Sequence, residues 1–76
     1  MAENNEPRFL EVKYVGDRYV AVPVLNPETS SDVVKRVGYD GVNNFHVEDC
    51  LRKANRIEDL DERKEFVLSE LEVMFG

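Results

Sequence analysis

Leu10-Glu11-Val12-Lys13-Tyr14-Val15-Gly16-Asp17-Arg18-Tyr19-Val20-Ala21-Val22-Pro23-Val24 is the stretch on which the fold turns. Leu10, Val12 and Tyr14 alternate with Glu11 and Lys13, and Val20, Val22 and Val24 alternate with Ala21 and Pro23. Period-two alternation on both sides of a Gly-Asp pair reads as a β-hairpin over residues 8–25. A two-residue loop at Gly16-Asp17 would set Lys13 against Val20 and Glu11 against Val22, mixing charge with apolar groups. A three-residue loop pairs Tyr14 with Val20, Val12 with Val22 and Leu10 with Val24, which gives one wholly apolar face and is the register expected. Pro23 has no N–H to give to a ladder, so the second strand is expected at an edge or bulged.

Downstream the pattern turns helical. Asn26-Pro27 ends the hairpin, and Thr29, Ser30 and Ser31 offer N-caps for a short helix over residues 32–37, closed by Gly38. Val33, Val34 and Val37 are β-branched and poor helix formers. A second helix is expected over residues 45–54, capped by Asn43 or Asn44, with Val47, Cys50, Leu51 and Ala54 as its apolar stripe. Glu48 and Asp49 would fall in its first turn and Arg52 and Lys53 in its last, complementing the dipole. The last helix starts at 57 or 59 and runs to 75, with Ile57, Leu60, Val67, Leu68, Leu71, Met74 and Phe75 on one face. The expected architecture is thus α+β, a hairpin followed by three helices (ββααα) with the C-terminal one longest. The apolar face of the hairpin would cover Leu51, Leu60, Val67 and Leu71. Residues 1–7 lack apolar content and read as a disordered arm before a single domain over 8–76. A lone hairpin is marginal, so it packs on the helices or pairs through its free edge with a second chain, making a homodimer possible.

Size and composition restrict function. A chain of 76 residues buries only about 60% of the surface its unfolded form exposes, which leaves little core to sacrifice to a catalytic pocket. One cysteine excludes an intrachain disulfide and fits a reducing compartment. The start has no basic or apolar segment of a signal peptide, and no apolar run approaches the ~20 residues of a membrane span. A cytoplasmic protein without membrane contact is expected. There are 10 Lys and Arg against 16 Asp and Glu, a net charge of −6. Residues 1–38 hold 5 basic and 6 acidic groups and residues 39–76 hold 5 and 10, so the C-terminal half is the acidic one. That balance argues against direct nucleic-acid binding, which rests on neutralising phosphates.

The last helix carries the candidate site. Phe66 and Val73 lie one heptad apart, off the core stripe, and Glu58, Asp61, Glu62, Glu65 and Glu72 form an acidic ribbon beside them. Like charges at 58–62 and 61–65 stand at i,i+4, where each pair costs a few tenths of a kcal/mol. Apolar anchors rimmed by carboxylates resemble a protein-binding surface, and the partner would be basic where it faces them. A solvated face that only aids solubility is the alternative. The function expected is a small acidic non-enzymatic module, an adaptor or inhibitor. A second possibility is a nucleic-acid mimic, with carboxylates standing in for phosphates. A third is a small nucleic-acid-associated regulator using Lys35, Arg36, Arg52, Lys53 and Arg56, its two short helices arranged as a helix-turn-helix.

His46 and Cys50 at i,i+4 could form a nucleophile pair or half a zinc site. The chain has no further His or Cys to complete a site, and Cys50 falls on the apolar stripe, where packing is the expected role. No Gly-rich phosphate loop or Gly-x-Ser-x-Gly is present. No cofactor, no metal and no catalytic residue is expected.

Overall fold

A computed structural model describes residues 6–27 and 32–76. It is an α+β domain whose elements run β1 (Phe9–Val15), β2 (Arg18–Val24), β3 (Val33–Gly38), α1 (Gly41–Ala54) and α2 (Leu60–Phe75). The sheet has three strands in the order β2-β1-β3, and β1 is antiparallel to both neighbours. The C-terminal helix is the longest, but among the described residues there are two helices, not three. Residues 1–5, which hold most of the expected arm, and the proposed caps Thr29, Ser30 and Ser31 lie outside the described residues.

The expected helix over 32–37 is strand β3. Its three valines prefer a pleated surface, and pairing with the second edge of β1 gives them one. Val37 sits opposite Leu10, Arg36 opposite Glu11 and Lys35 opposite Val12, with a bulge at Val34 before Val33 meets Lys13. The helix-turn-helix arrangement loses its first helix with this correction.

The hairpin also closes differently. Val15 pairs with Arg18, so the loop is the two-residue Gly16-Asp17. Gly16 has φ 68° and no other described residue has positive φ, the pattern of a type II′ turn with glycine at its first central position. The helix side of the hairpin stays free of charge, and the mixing of charge with valine falls on the outer side. Leu10, Val12 and Tyr14 share the helix side with Tyr19, Ala21 and Pro23, whereas Val20 and Val22 stand opposite Lys13 and Glu11 on the outer side. Glu11 is tolerated there, at 2% exposure, because Arg36 on β3 bonds its carboxylate at 2.8 Å and Lys13 stands 3.8 Å away. A hairpin alone could not supply that guanidinium, so the two-strand reading favoured the wrong register.

Helix α1 begins four residues earlier than expected. Its N-cap is Asp40, whose carboxylate accepts from the Asn43 N–H at 2.8 Å. Glu48 and Asp49 therefore lie beyond the first turn, and Asp49 instead pairs with Arg52 and Lys53, each at 3.1 Å. The stripe Val47, Cys50, Leu51 and Ala54 is buried as read from the sequence, against Leu10, Val12, Tyr19 and Val37 of the sheet and Val67 and Leu71 of α2.

Both sheet edges are tied to α1. Alternation along an antiparallel pair turns the N–H and C=O of every second residue outward. At the β2 edge, Tyr19 gives its N–H to Asn55 Oδ1 at 3.1 Å and accepts from Asn55 Nδ2 at 3.0 Å. Pro23, two outward positions along, has no N–H to leave unpaired. At the other edge Asn43 Nδ2 donates to the Gly38 carbonyl at 2.9 Å. Pro23 does lie on an edge strand, as the sequence implied.

Candidate functional site

The acidic ribbon lies on and just before α2, and its position follows from local capping. Asp59 is the N-cap, and its carboxylate accepts from the Asp61 and Glu62 N–H groups at 2.9 and 3.1 Å. Asp61 and Glu62 fill the first turn, where negative charge opposes the positive end of the helix dipole and stabilises it. Glu58 precedes the cap and is not helical, so the like-charge pair expected at 58–62 does not form on a helix. Arg63, one of two basic residues on α2, turns away from the ribbon. Its Nε and Nη2 donate to the Ile57 carbonyl at 2.9 and 2.6 Å, and Nη1 reaches the Asp17 carbonyl in the β1–β2 turn.

Two lines of residues run along the outer side of α2. Asp61, Glu65, Leu68 and Glu72 are spaced by four, three and four residues, and so are Glu62, Phe66, Ser69 and Val73. Each line is about 16 Å long at 1.5 Å per residue. Glu58, Asp61, Glu62, Glu65 and Glu72 are all exposed, and no ion pair reaches any of them among the described residues. Val73 is 80% exposed. Phe66 differs from it: the ring is half-buried and packs against the core. The core stripe itself is narrower than expected. Val67 and Leu71 are buried and Ile57, Met74 and Phe75 half-buried, while Leu60 and Leu68 are exposed, Leu68 at 43%. Leu68 therefore joins Val73 as an apolar group on the acidic face.

Glu65 and Glu72 differ from the first-turn acids in what they do for the fold. Glu72 lies in the last turn, where a negative charge opposes the dipole, and that turn holds no basic residue. Its carboxylate thus costs stability where it stands.

The remaining candidates are placed as follows. Cys50 is buried, and burial pushes its thiol up to about 11, with the nearby carboxylates of Glu70 and Asp49 adding to the rise. A thiol held protonated in this way is a poor nucleophile. His46 is exposed and meets the Phe45 ring edge-on at 5.7 Å. Of the basic groups, Arg36 holds Glu11, and Arg52 and Lys53 share Asp49. Among the described residues no three His, Cys, Asp or Glu side chains are grouped to hold a metal, and no helix is long and apolar enough to cross a membrane.

Two features were not read from the sequence. Val42 and Phe45 are exposed on the outer side of α1, which the late helix start had hidden. A cleft of about 450 Å³ opens beside the first turn of α2, walled by Tyr14 and Tyr19 of the hairpin, by Asp32 and Val34, and by Leu60, Asp61 and Lys64. It joins residues distant in sequence, so no local pattern announces it. No protein-family model matches the chain, and no curated protein or solved structure matches it.

Proposed function

We propose that this chain is a small acidic, non-enzymatic protein-binding module, an adaptor or inhibitor, that applies the outer side of α2 to a basic and partly apolar surface of a partner protein. The observation that carries the reading is Glu72: a carboxylate in the last helical turn with no ion-pair partner among the described residues, next to the 80% exposed Val73 and one turn from Leu68. A helix under selection for its own stability alone would place Lys or Arg there. Carboxylates with interleaved apolar side chains suit a protein surface, where a buried apolar centre contributes affinity and a charged rim steers approach. Nucleic-acid mimicry needs carboxylates only, and Leu68 and Val73 add nothing to it.

The test is capture of a partner on immobilised protein, compared with Glu65→Lys/Glu72→Lys and with Leu68→Ser/Val73→Ser. All four positions are exposed, so neither variant should melt below wild type, and Glu65→Lys/Glu72→Lys should melt at or above it. The reading expects one protein partner with a basic surface, lost in both variants and weakened as salt rises from about 0.1 to 0.5 M. Equal capture by the variants overturns it. So does a solution mass of twice 8.8 kDa that falls to the monomer in Leu68→Ser/Val73→Ser, because the face would then be a self-association surface.

A further inference from the structure

The cleft beside the first turn of α2 has the makings of a socket for one side chain. Tyr14 and Tyr19 form its aromatic wall, their ring centroids 4.7 Å apart and the planes tilted by 46°. Tyr19 is only 4% exposed, yet its hydroxyl has no protein partner among the described residues and is not sealed from solvent. Tyr19 lines the cleft of about 450 Å³, and a hydroxyl open to solvent can exchange water for a donor on a ligand. The rest of the lining is Val34, Lys64, the exposed Leu60 and two carboxylates, Asp32 and Asp61, and Asp61 is in no ion pair among the described residues.

The charge of the ligand can be argued. An anion seeks helix N-terminal N–H groups, but those of Asp61 and Glu62 are already taken by Asp59. An aromatic face beside a carboxylate suits a cation, and a planar guanidinium best. It stacks on a ring, and its donors reach a carboxylate and a phenol oxygen together, which an ammonium on a flexible stem does less well. Lys64, in the same lining, opposes a cation, but it is exposed and free to swing its charge into water.

We infer that this cleft receives an arginine side chain of the protein partner, stacked on Tyr14, beside the edge of Tyr19, and bonded to Asp61. The inference rests on the protein-binding reading of α2, since Asp61 begins the acidic line that continues through Glu65 and Glu72.

The experiment is a titration of the full chain with N-acetyl-arginine-methylamide, followed by two-dimensional amide NMR, with the lysine compound as control. Saturable shifts are expected, centred on Tyr14, Tyr19, Leu60 and Asp61, in the millimolar range for the arginine compound and much weaker for lysine. Asp61→Asn should weaken binding about tenfold, Tyr19→Phe less, and Lys64→Gln should strengthen it. No saturable shift, equal shifts for both compounds along the whole acidic helix, or weaker binding in Lys64→Gln would each overturn the socket. Failure of the parent reading is separable. If Glu65→Lys/Glu72→Lys leaves partner capture intact while arginine still saturates the cleft, the α2 face is wrong and the socket stands. If α2 variants abolish capture and Asp61→Asn and Tyr19→Phe do not, the face stands and the socket falls.

Discussion

The side-chain amide of Asn55 and the backbone of Tyr19 hold each other by two hydrogen bonds, one donated in each direction, at 3.1 and 3.0 Å. Asn55 is the C-cap of α1, and its own N–H bonds the Leu51 carbonyl at 2.9 Å. One residue thus ends a helix and stands in for a neighbouring strand at a sheet edge. Asn55→Ala should cost about 1–3 kcal/mol, since it strands two backbone groups of a half-enclosed edge. For a domain of this size that lowers Tm by about 4–8 °C per kcal/mol. Asn55→Asp keeps the acceptor but sets a carboxylate against the Tyr19 carbonyl, and should not restore the loss. A thermal melt of Asn55→Ala within a degree of wild type would show that water serves the edge equally well.

Glu11 and Arg36 make a second test. Arg36→Met leaves the Glu11 carboxylate nearly enclosed with only Lys13 at 3.8 Å, and should destabilise by about 1–3 kcal/mol. Glu11→Leu combined with Arg36→Met should recover much of that loss, because removing both charges removes the need for the pair. Urea midpoints of the two singles and the double decide it, and simple additivity would deny the coupling.

Stability should fall as pH rises through the alkaline range, in part because of Cys50. Its thiol ordinarily ionises near 9.0 and in the folded chain near 11. Between those values the unfolded chain releases a proton that the folded chain keeps, so rising pH favours unfolding. Tyr19, also raised by burial and by Tyr14, acts in the same direction at higher pH. Urea midpoints measured at about pH 8 and about pH 10.5 should separate less in Cys50→Ala than in wild type. An equal separation would place the whole effect elsewhere.

Leu71→Ala should cost about 2–5 kcal/mol and Leu68→Ala within about 0.5 kcal/mol of nothing. The two leucines are three residues apart and looked alike in sequence, yet Leu71 is 2% exposed and Leu68 43%. Chemical denaturation of the pair checks the boundary between core and binding face directly.

That pair also shows where the sequence was legible. A stripe at 100° per residue finds the buried side of α1 residue for residue, because α1 lies between the sheet and α2 and its whole stripe is covered. On α2 the same rule includes Leu60 and Leu68, because periodicity reports a direction and not the width of the surface that covers it. The strand Val33–Gly38 went unread for a different reason: serine and threonine before an apolar run signal a helix cap, and the pull of an unpaired β1 edge on three valines is a tertiary effect. The hairpin register depends on the same strand, since β3 brings the guanidinium that lets Glu11 stay enclosed on the outer side of the sheet. Of the candidate site, Asp61, Glu62, Glu65, Glu72 and Val73 stand exposed on the helix, whereas Glu58 lies before its cap. Phe66 packs on the core, because its flank of α2 is only partly turned to solvent.

Asn55 has a further consequence for biosynthesis. The hairpin is complete once Val24 has left the ribosome, but the outward amide of Tyr19 finds its partner only thirty-one residues after Val24, when residue 55 emerges. Until then the nascent chain shows an open strand edge of the kind that recruits other chains. Within that edge Pro23 lacks the donor that a continuous intermolecular ladder would require, so the gap in protection falls on a strand that is already a poor template.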